Sequence, residues 1–217
     1  YPQTAGGAAS PRSLLSRQLT GRPDISAGVV RAVGETPREA LVPPGWESWT
    51  YEDRPLPLGG GLFLPSPSDC ARLLSAASLQ GSDQVLVVGR ACGYAALLAC
   101  RLAGSVTVME EDDGQRELLS QILNAPGNEE FLQKITLLGD WSLAFLPRNQ
   151  SFSAIIIHGG TGNIPPVLLG LLRAPGRLAG VIRTDSGFSL VITLTRNTDG
   201  EGLRGGAEVY FPAILGW

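Results

Sequence analysis

Four short apolar runs, each closed by a glycine or an acidic residue and separated by helical patterning, constrain this chain more than any other feature. The run Gln84-Val85-Leu86-Val87-Val88-Gly89 is apolar on both alternating faces and stops at a glycine. That is the pattern of a parallel strand covered on both sides. Residues 105–109 repeat it before Glu110-Glu111-Asp112-Asp113, residues 135–138 before Gly139-Asp140, and residues 153–158 before Gly159. Residues 95–102, 117–124 and 166–172 read as the intervening helices, and 177–182 as a fifth strand. Residues 190–195 and 208–211 read as a closing antiparallel pair. Strand and helix alternating in this way predict an α/β fold with a doubly wound, mostly parallel sheet.

The N-terminal third reads differently. Residues 13–19 carry an amphipathic helical pattern, and a second helix capped by Asp24 or Ser26 stops at Thr36-Pro37. Residues 55–68 hold four prolines and the run Gly59-Gly60-Gly61, which predicts irregular chain. Ser68-Asp69 is the expected cap of a helix through Ala77. The expected division is an arm over 1–12 that is flexible or binds a partner, a helical and loop region over 13–80, and the α/β unit over 81–217.

Composition excludes several classes of function. A net charge of −3 argues against a sequence-independent nucleic-acid binder that works by phosphate neutralisation. No window approaches the length of apolar chain that spans a bilayer. Three cysteines, Cys70, Cys92 and Cys100, cannot all pair with one another and show no metal-ligand spacing. They read as reduced thiols, no metal site is expected, and the sole histidine, His158, reads as an ordinary loop or core residue.

In a doubly wound sheet, ligands bind outside the carboxyl ends of the strands. Gly89 and Gly93 bracket the turn after the first strand, with Arg90 and Ala91 between them. Glu110 ends the second strand 21 residues after Gly89, close to the roughly 20 of a nucleoside-binding βαβ unit. Its carboxylate is placed to accept from ribose hydroxyls. Asp140 ends the third strand, where it would meet an adenine amino group. A glycine at a strand end is often only a turn, so the weight rests on the three signals coming in order.

Several segments carry a family resemblance. Thr36-Pro37-Arg38-Glu39-Ala40-Leu41-Val42-Pro43 resembles "VPREAFVP" of the protein-L-isoaspartate (D-aspartate) O-methyltransferases. Tyr51-Glu52-Asp53-Arg54-Pro55-Leu56-Pro57-Leu58-Gly59 resembles their "YEDRPLPIG", and Ala174-Pro175-Gly176-Arg177-Leu178 their "KPGGRL". Later segments are most similar to a divergent alphaproteobacterial branch. The resemblance implies a seven-stranded Rossmann-like methyltransferase sheet with an antiparallel C-terminal strand and an N-terminal helical extension. It also implies S-adenosylmethionine as methyl donor.

The chain departs from that family at its chemistry-bearing positions. Phe63 and Pro65 stand where the family sets Thr and Ser hydroxyls beside the substrate carboxylate, and the nearest hydroxyl is Ser66, displaced by one. Val87 stands for the acid of the first-strand motif and Ala91 for its middle glycine. Arg90 could pair with the donor carboxylate or fill the cavity, and filling is the expectation. Trp141 would crowd the adenine side. These changes lead us to expect a catalytically inactive relative that does not bind the donor and serves as a structural subunit with protein partners. The alternatives are an active methyltransferase acting on protein carboxylates, or a sensor that binds without turnover. The expected setting is a mitochondrial matrix, after removal of a presequence, or a bacterial cytoplasm.

Overall fold

The computed structural model describes residues 10–138, 151–161, 163–183, 189–198 and 203–211. Its centre is a seven-stranded sheet in the order β5-β4-β3-β6-β7-β8-β9. The strands are β3 (Gln84–Gly89), β4 (Ser105–Glu110), β5 (Ile135–Leu137), β6 (Phe152–Thr161), β7 (Leu172–Arg183), β8 (Ser189–Arg196) and β9 (Leu203–Phe211). All neighbours from β5 to β7 pair in parallel, and β8 alone runs against both of its neighbours. The expected mostly parallel sheet with an antiparallel strand near its C-terminal edge is therefore present.

Alternate residues of the central strands feed two cores. Val85, Val87, Val106, Val108 and Ile156 face a layer built from α1 (Pro11–Leu19), α2 (Ala27–Glu35), α3 (Pro67–Ala77), α4 (Gly93–Leu102), α5 (Asp113–Asn124) and α6 (Glu129–Lys134). Leu86, Val88, Met109, Ile155 and Ile157 face the opposite side, where α7 (Pro166–Leu171) contributes Leu168. Burial on both faces explains why these strands are apolar throughout instead of alternating. The N-terminal helices share the first core: Leu15, Leu19, Val29 and Val33 pack with the sheet residues just named. The helix over 129–134, which the sequence pattern does not signal, adds Phe131 to that core.

Residues 56–64 are more regular than their prolines and glycines predict. β1 (Leu56–Gly59) and β2 (Leu62–Leu64) form an antiparallel hairpin. Gly59, Gly60 and Gly61 take φ of 91°, 58° and 79° in sequence. Only glycine holds three such angles cheaply, so the triplet is the turn and not a break. The helix α3 also starts earlier than expected. Pro67 occupies its first turn and Ser66, not Ser68-Asp69, is the cap: Asp69 N–H donates to Ser66 Oγ at 3.2 Å. Proline's fixed φ suits a first helical position, where its missing N–H costs nothing.

At the amino ends of the strands, Arg177 on β7 donates to the carbonyls of Ala77 (2.5 Å) and Ser78 (2.8 Å) and pairs with the buried Asp83. Asp83 also accepts from Ser153 Oγ at 2.7 Å. This clamp leaves the carboxyl ends free to carry a site.

Candidate functional site

The strand order reverses direction beside β3: β4 and β5 lie on one side and β6 to β9 on the other. Gly89 is in register with Glu110 on β4 and with His158 on β6; β3 and β4 end at this level, and β6 runs on to Thr161. Such a switch point opens a crevice at the carboxyl ends of the strands.

Gly89 has φ 142°, and a Cβ on it would lie 1.9 Å from the His158 carbonyl oxygen. The close passage of β3 against β6 therefore requires this glycine. Ala91 has φ 53°, the left-handed conformation that the family's glycine would hold without strain. Cys92 then starts α4 without a side-chain cap, leaving first-turn N–H groups for an anionic group to engage.

Glu110 is 1% exposed and is turned under this loop. Its Oε1 accepts from Ala91 N–H at 2.9 Å and Asp112 N–H at 3.1 Å, and its Oε2 from Cys92 N–H at 2.7 Å. Burial raises its pKa above the ordinary glutamate value, and the three backbone donors oppose that rise. Three of about four acceptor positions are thus committed. The carboxylate thereby braces the 89–93 turn through that turn's own N–H groups.

Arg90 does not fill the crevice. Its side chain is 53% exposed, with Nη2 3.3 Å from Asp112 Oδ2. Asp112 also caps α5 by accepting from Gln115 N–H at 3.1 Å. An unpaired guanidinium buried in an apolar crevice would cost several kcal/mol, at least about 3, and water with Asp112 offers the cheaper place. Gly93 lies in contact distance of Leu41 and Leu119, where a Cβ would meet Leu41 Cδ2 at 3.1 Å. Val87, in the position of the family acid, is buried in the first core. Asp140 and Trp141 lie outside the described residues.

On the acceptor side, Phe63 pairs with Pro57 across the hairpin and is half-buried. Pro65 is buried and its carbonyl accepts from Arg38 Nη2 at 2.6 Å. The Ser66 hydroxyl is committed to capping α3 and donates to Asp69 Oδ2 at 2.6 Å. No hydroxyl at 63, 65 or 66 is free to orient a substrate.

Two residues matter here that sequence pattern passed over. His158 is 3% exposed. Its Nδ1 lies 3.1 Å from the Arg90 carbonyl, which can only accept, so Nδ1 carries the hydrogen and Nε2 faces Cys70 Sγ at 3.9 Å. Burial lowers its pKa to about 4, against the Arg90 bond and with help from the Arg38 charge, so the ring is neutral at pH 7. Arg38 is wholly buried between Pro65 and Tyr94. Counting parallel strands locates His158 opposite Gly89; nothing local in the sequence marks Arg38 as buried. Cys70, whose thiol is pushed up to about 12 by burial, is no nucleophile.

Comparison with known proteins bears on this arrangement. A profile described as Protein-L-isoaspartate(D-aspartate) O-methyltransferase (PCMT) matches residues 12–205. A protein-L-isoaspartate O-methyltransferase 1 of Rhodopseudomonas palustris (strain HaA2) is 29% identical over 212 residues, 96% of this chain and 84% of its own. The protein-L-isoaspartate O-methyltransferase of Methylorubrum extorquens (strain PA1) is 31% identical over 93% of this chain and 86% of its own. A Plasmodium falciparum protein described as a protein-L-isoaspartate O-methyltransferase, solved in complex with S-adenosyl-L-homocysteine, shares the fold. Its TM-score is 0.77 at 16% identity, with 96% of this chain and 98% of that one covered. The expectation of a catalytically inactive structural subunit is corrected by these relatives, which span nearly the whole chain and are named for methyl transfer. One part of its premise is not met, since the Arg90 side chain is 53% exposed beside Asp112. With the fold and the match over 12–205 in agreement, the chain belongs to the protein-L-isoaspartate(D-aspartate) O-methyltransferase family.

Proposed function

We propose that this chain is an S-adenosylmethionine-dependent O-methyltransferase that esterifies the carboxylate of isoaspartyl residues in proteins or peptides. The observation that carries the reading is the side-by-side register of Gly89, Glu110 and His158 on adjacent strands, next to a helix start without a side-chain cap. The residues present fit the donor. The Gly89–Gly93 turn and the first-turn N–H groups of α4 would hold its amino-acid end, on a loop kept in place by Glu110. The bound donor supplies an electrophilic methyl group on a sulfonium.

The acceptor carboxylate is ionised at neutral pH, so it attacks without a general base. His158 is not needed in that role, and it is buried and bonded to the loop. Positioning then carries most of the rate. With Phe63 and Pro65 in place of hydroxyls, orientation falls to backbone groups and shape around the hairpin. The bacterial relatives support a bacterial setting over a mitochondrial one. Among the described residues, no helix is long and apolar enough to cross a membrane.

The test is transfer of labelled methyl from S-adenosylmethionine to an isoaspartyl peptide, with its aspartyl twin as control. The expected product is a base-labile methyl ester on the isoaspartyl peptide only. Absence of ester on either peptide at saturating donor overturns the reading.

A further inference from the structure

Arg38 is a wholly buried cation that donates hydrogen bonds to two backbone carbonyls and, among the described residues, to no carboxylate. Nε donates to Thr50 O at 3.1 Å and Nη2 to Pro65 O at 2.6 Å. The guanidinium carbon sits 4.7 Å from the centroid of the Tyr94 ring. Nη1 and the Tyr94 hydroxyl are buried and find no hydrogen-bond partner among the described residues. Such burial is expensive for a guanidinium. A Met or Leu would fill the space without that cost, so the two carbonyl bonds and the ring contact are what the charge supplies.

Those contacts join parts of the site that are far apart in sequence. Pro65 lies between β2 and α3, in the acceptor segment. Tyr94 is the second residue of α4, directly after the donor loop. Thr50 precedes Asp53, whose Oδ1 accepts from Ser68 N–H at 2.9 Å and so steadies the start of α3. One side chain thus touches the acceptor segment on one side and the donor helix on the other.

We propose that Arg38 is a positioning residue that holds the Pro65 segment against the first turn of α4, setting where the acceptor carboxylate meets the donor. This rests on the function proposed above, and its test has a readout that does not. In full-length R38M, amide hydrogen exchange over residues 62–70 is expected to rise roughly tenfold or more, while residues 85–88 change by less than about threefold. The KM for an isoaspartyl peptide is expected to rise roughly tenfold, with S-adenosylhomocysteine affinity within about threefold of the unmodified chain. R38Q keeps one amide donor and is expected to fall between the two; it carries the test if R38M does not fold. Equal acceleration over 62–70 and 85–88, or none over 62–70, overturns the proposal. If the unmodified chain methylates no peptide, the function fails while the exchange pattern still decides the role of Arg38.

Discussion

Because His158 is the only histidine in the chain, its protonation can be followed without assignment ambiguity. The ring is buried, donates through Nδ1 to the Arg90 carbonyl and lies within the field of Arg38, and its pKa falls from 6.5 to about 4. Between those values the unfolded chain binds a proton that the folded chain refuses. Folding stability contributed by the neutral ring is therefore complete above pH 6.5 and lost as pH falls toward 4. A shift of that size is worth about 3 kcal/mol in full, and about 2.5 kcal/mol of it is gone by pH 4.5. Asn at 158 places an amide donor near the position of Nδ1 and does not titrate. Urea unfolding of the unmodified chain and of His158→Asn at pH 7 and pH 4.5 isolates the term. The unmodified chain is expected to lose about 2.5 kcal/mol more than the variant over that interval. Nuclear magnetic resonance of the single imidazole should show no titration above about pH 5. A midpoint near 6.5, or identical pH dependence in the two proteins, would refute the claim that the ring is a dry support of the donor loop.

Three further outcomes follow from the loop geometry. Gly89→Ala pushes a Cβ to 1.9 Å from the His158 carbonyl; a stability loss of about 3 kcal/mol or more is expected by urea unfolding, since neither strand can yield without breaking the ladder. Ala91→Gly relieves the left-handed strain at φ 53° and should stabilise the fold by up to about 1 kcal/mol, with donor affinity equal or better. Glu110→Gln turns an amide toward three backbone N–H groups. Each charge-assisted bond is worth about 1.5–3 kcal/mol, so the melting temperature should fall by several degrees and S-adenosylhomocysteine affinity roughly tenfold or more in a calorimetric titration.

The parallel strands were legible because burial on both faces leaves an apolar run with sharp ends. β3 matches its expected bounds, and β4 differs by one residue. Strands whose ends are set by partners were less legible. β7 begins at Leu172 because it pairs with Phe152, five residues before the local pattern predicts. The β1–β2 hairpin was hidden because glycine and proline signal irregular chain, whereas here Gly59 to Gly61 supply the positive φ of a turn. The places of Gly89, Gly93 and Glu110 at strand ends and a helix start follow from spacing alone. The direction of the Glu110 carboxylate does not, since it is set by N–H groups on another segment. Nor does the burial of Arg38, which depends on residues 27 and 56 positions away in sequence. Loss of family residues at 63, 65, 87 and 91 pointed toward inactivity because a substitution list carries no backbone geometry. Ala91 shows the difference, holding a glycine's φ with an alanine.

The most direct test of the account is a calorimetric titration of the full-length chain with S-adenosylhomocysteine. The account predicts a single saturable site with a dissociation constant in the micromolar range, on the order of −8 kcal/mol, weakened by Glu110→Gln. Absence of heat up to millimolar ligand would contradict it, since the crevice above Gly89 and Glu110 would then hold no donor.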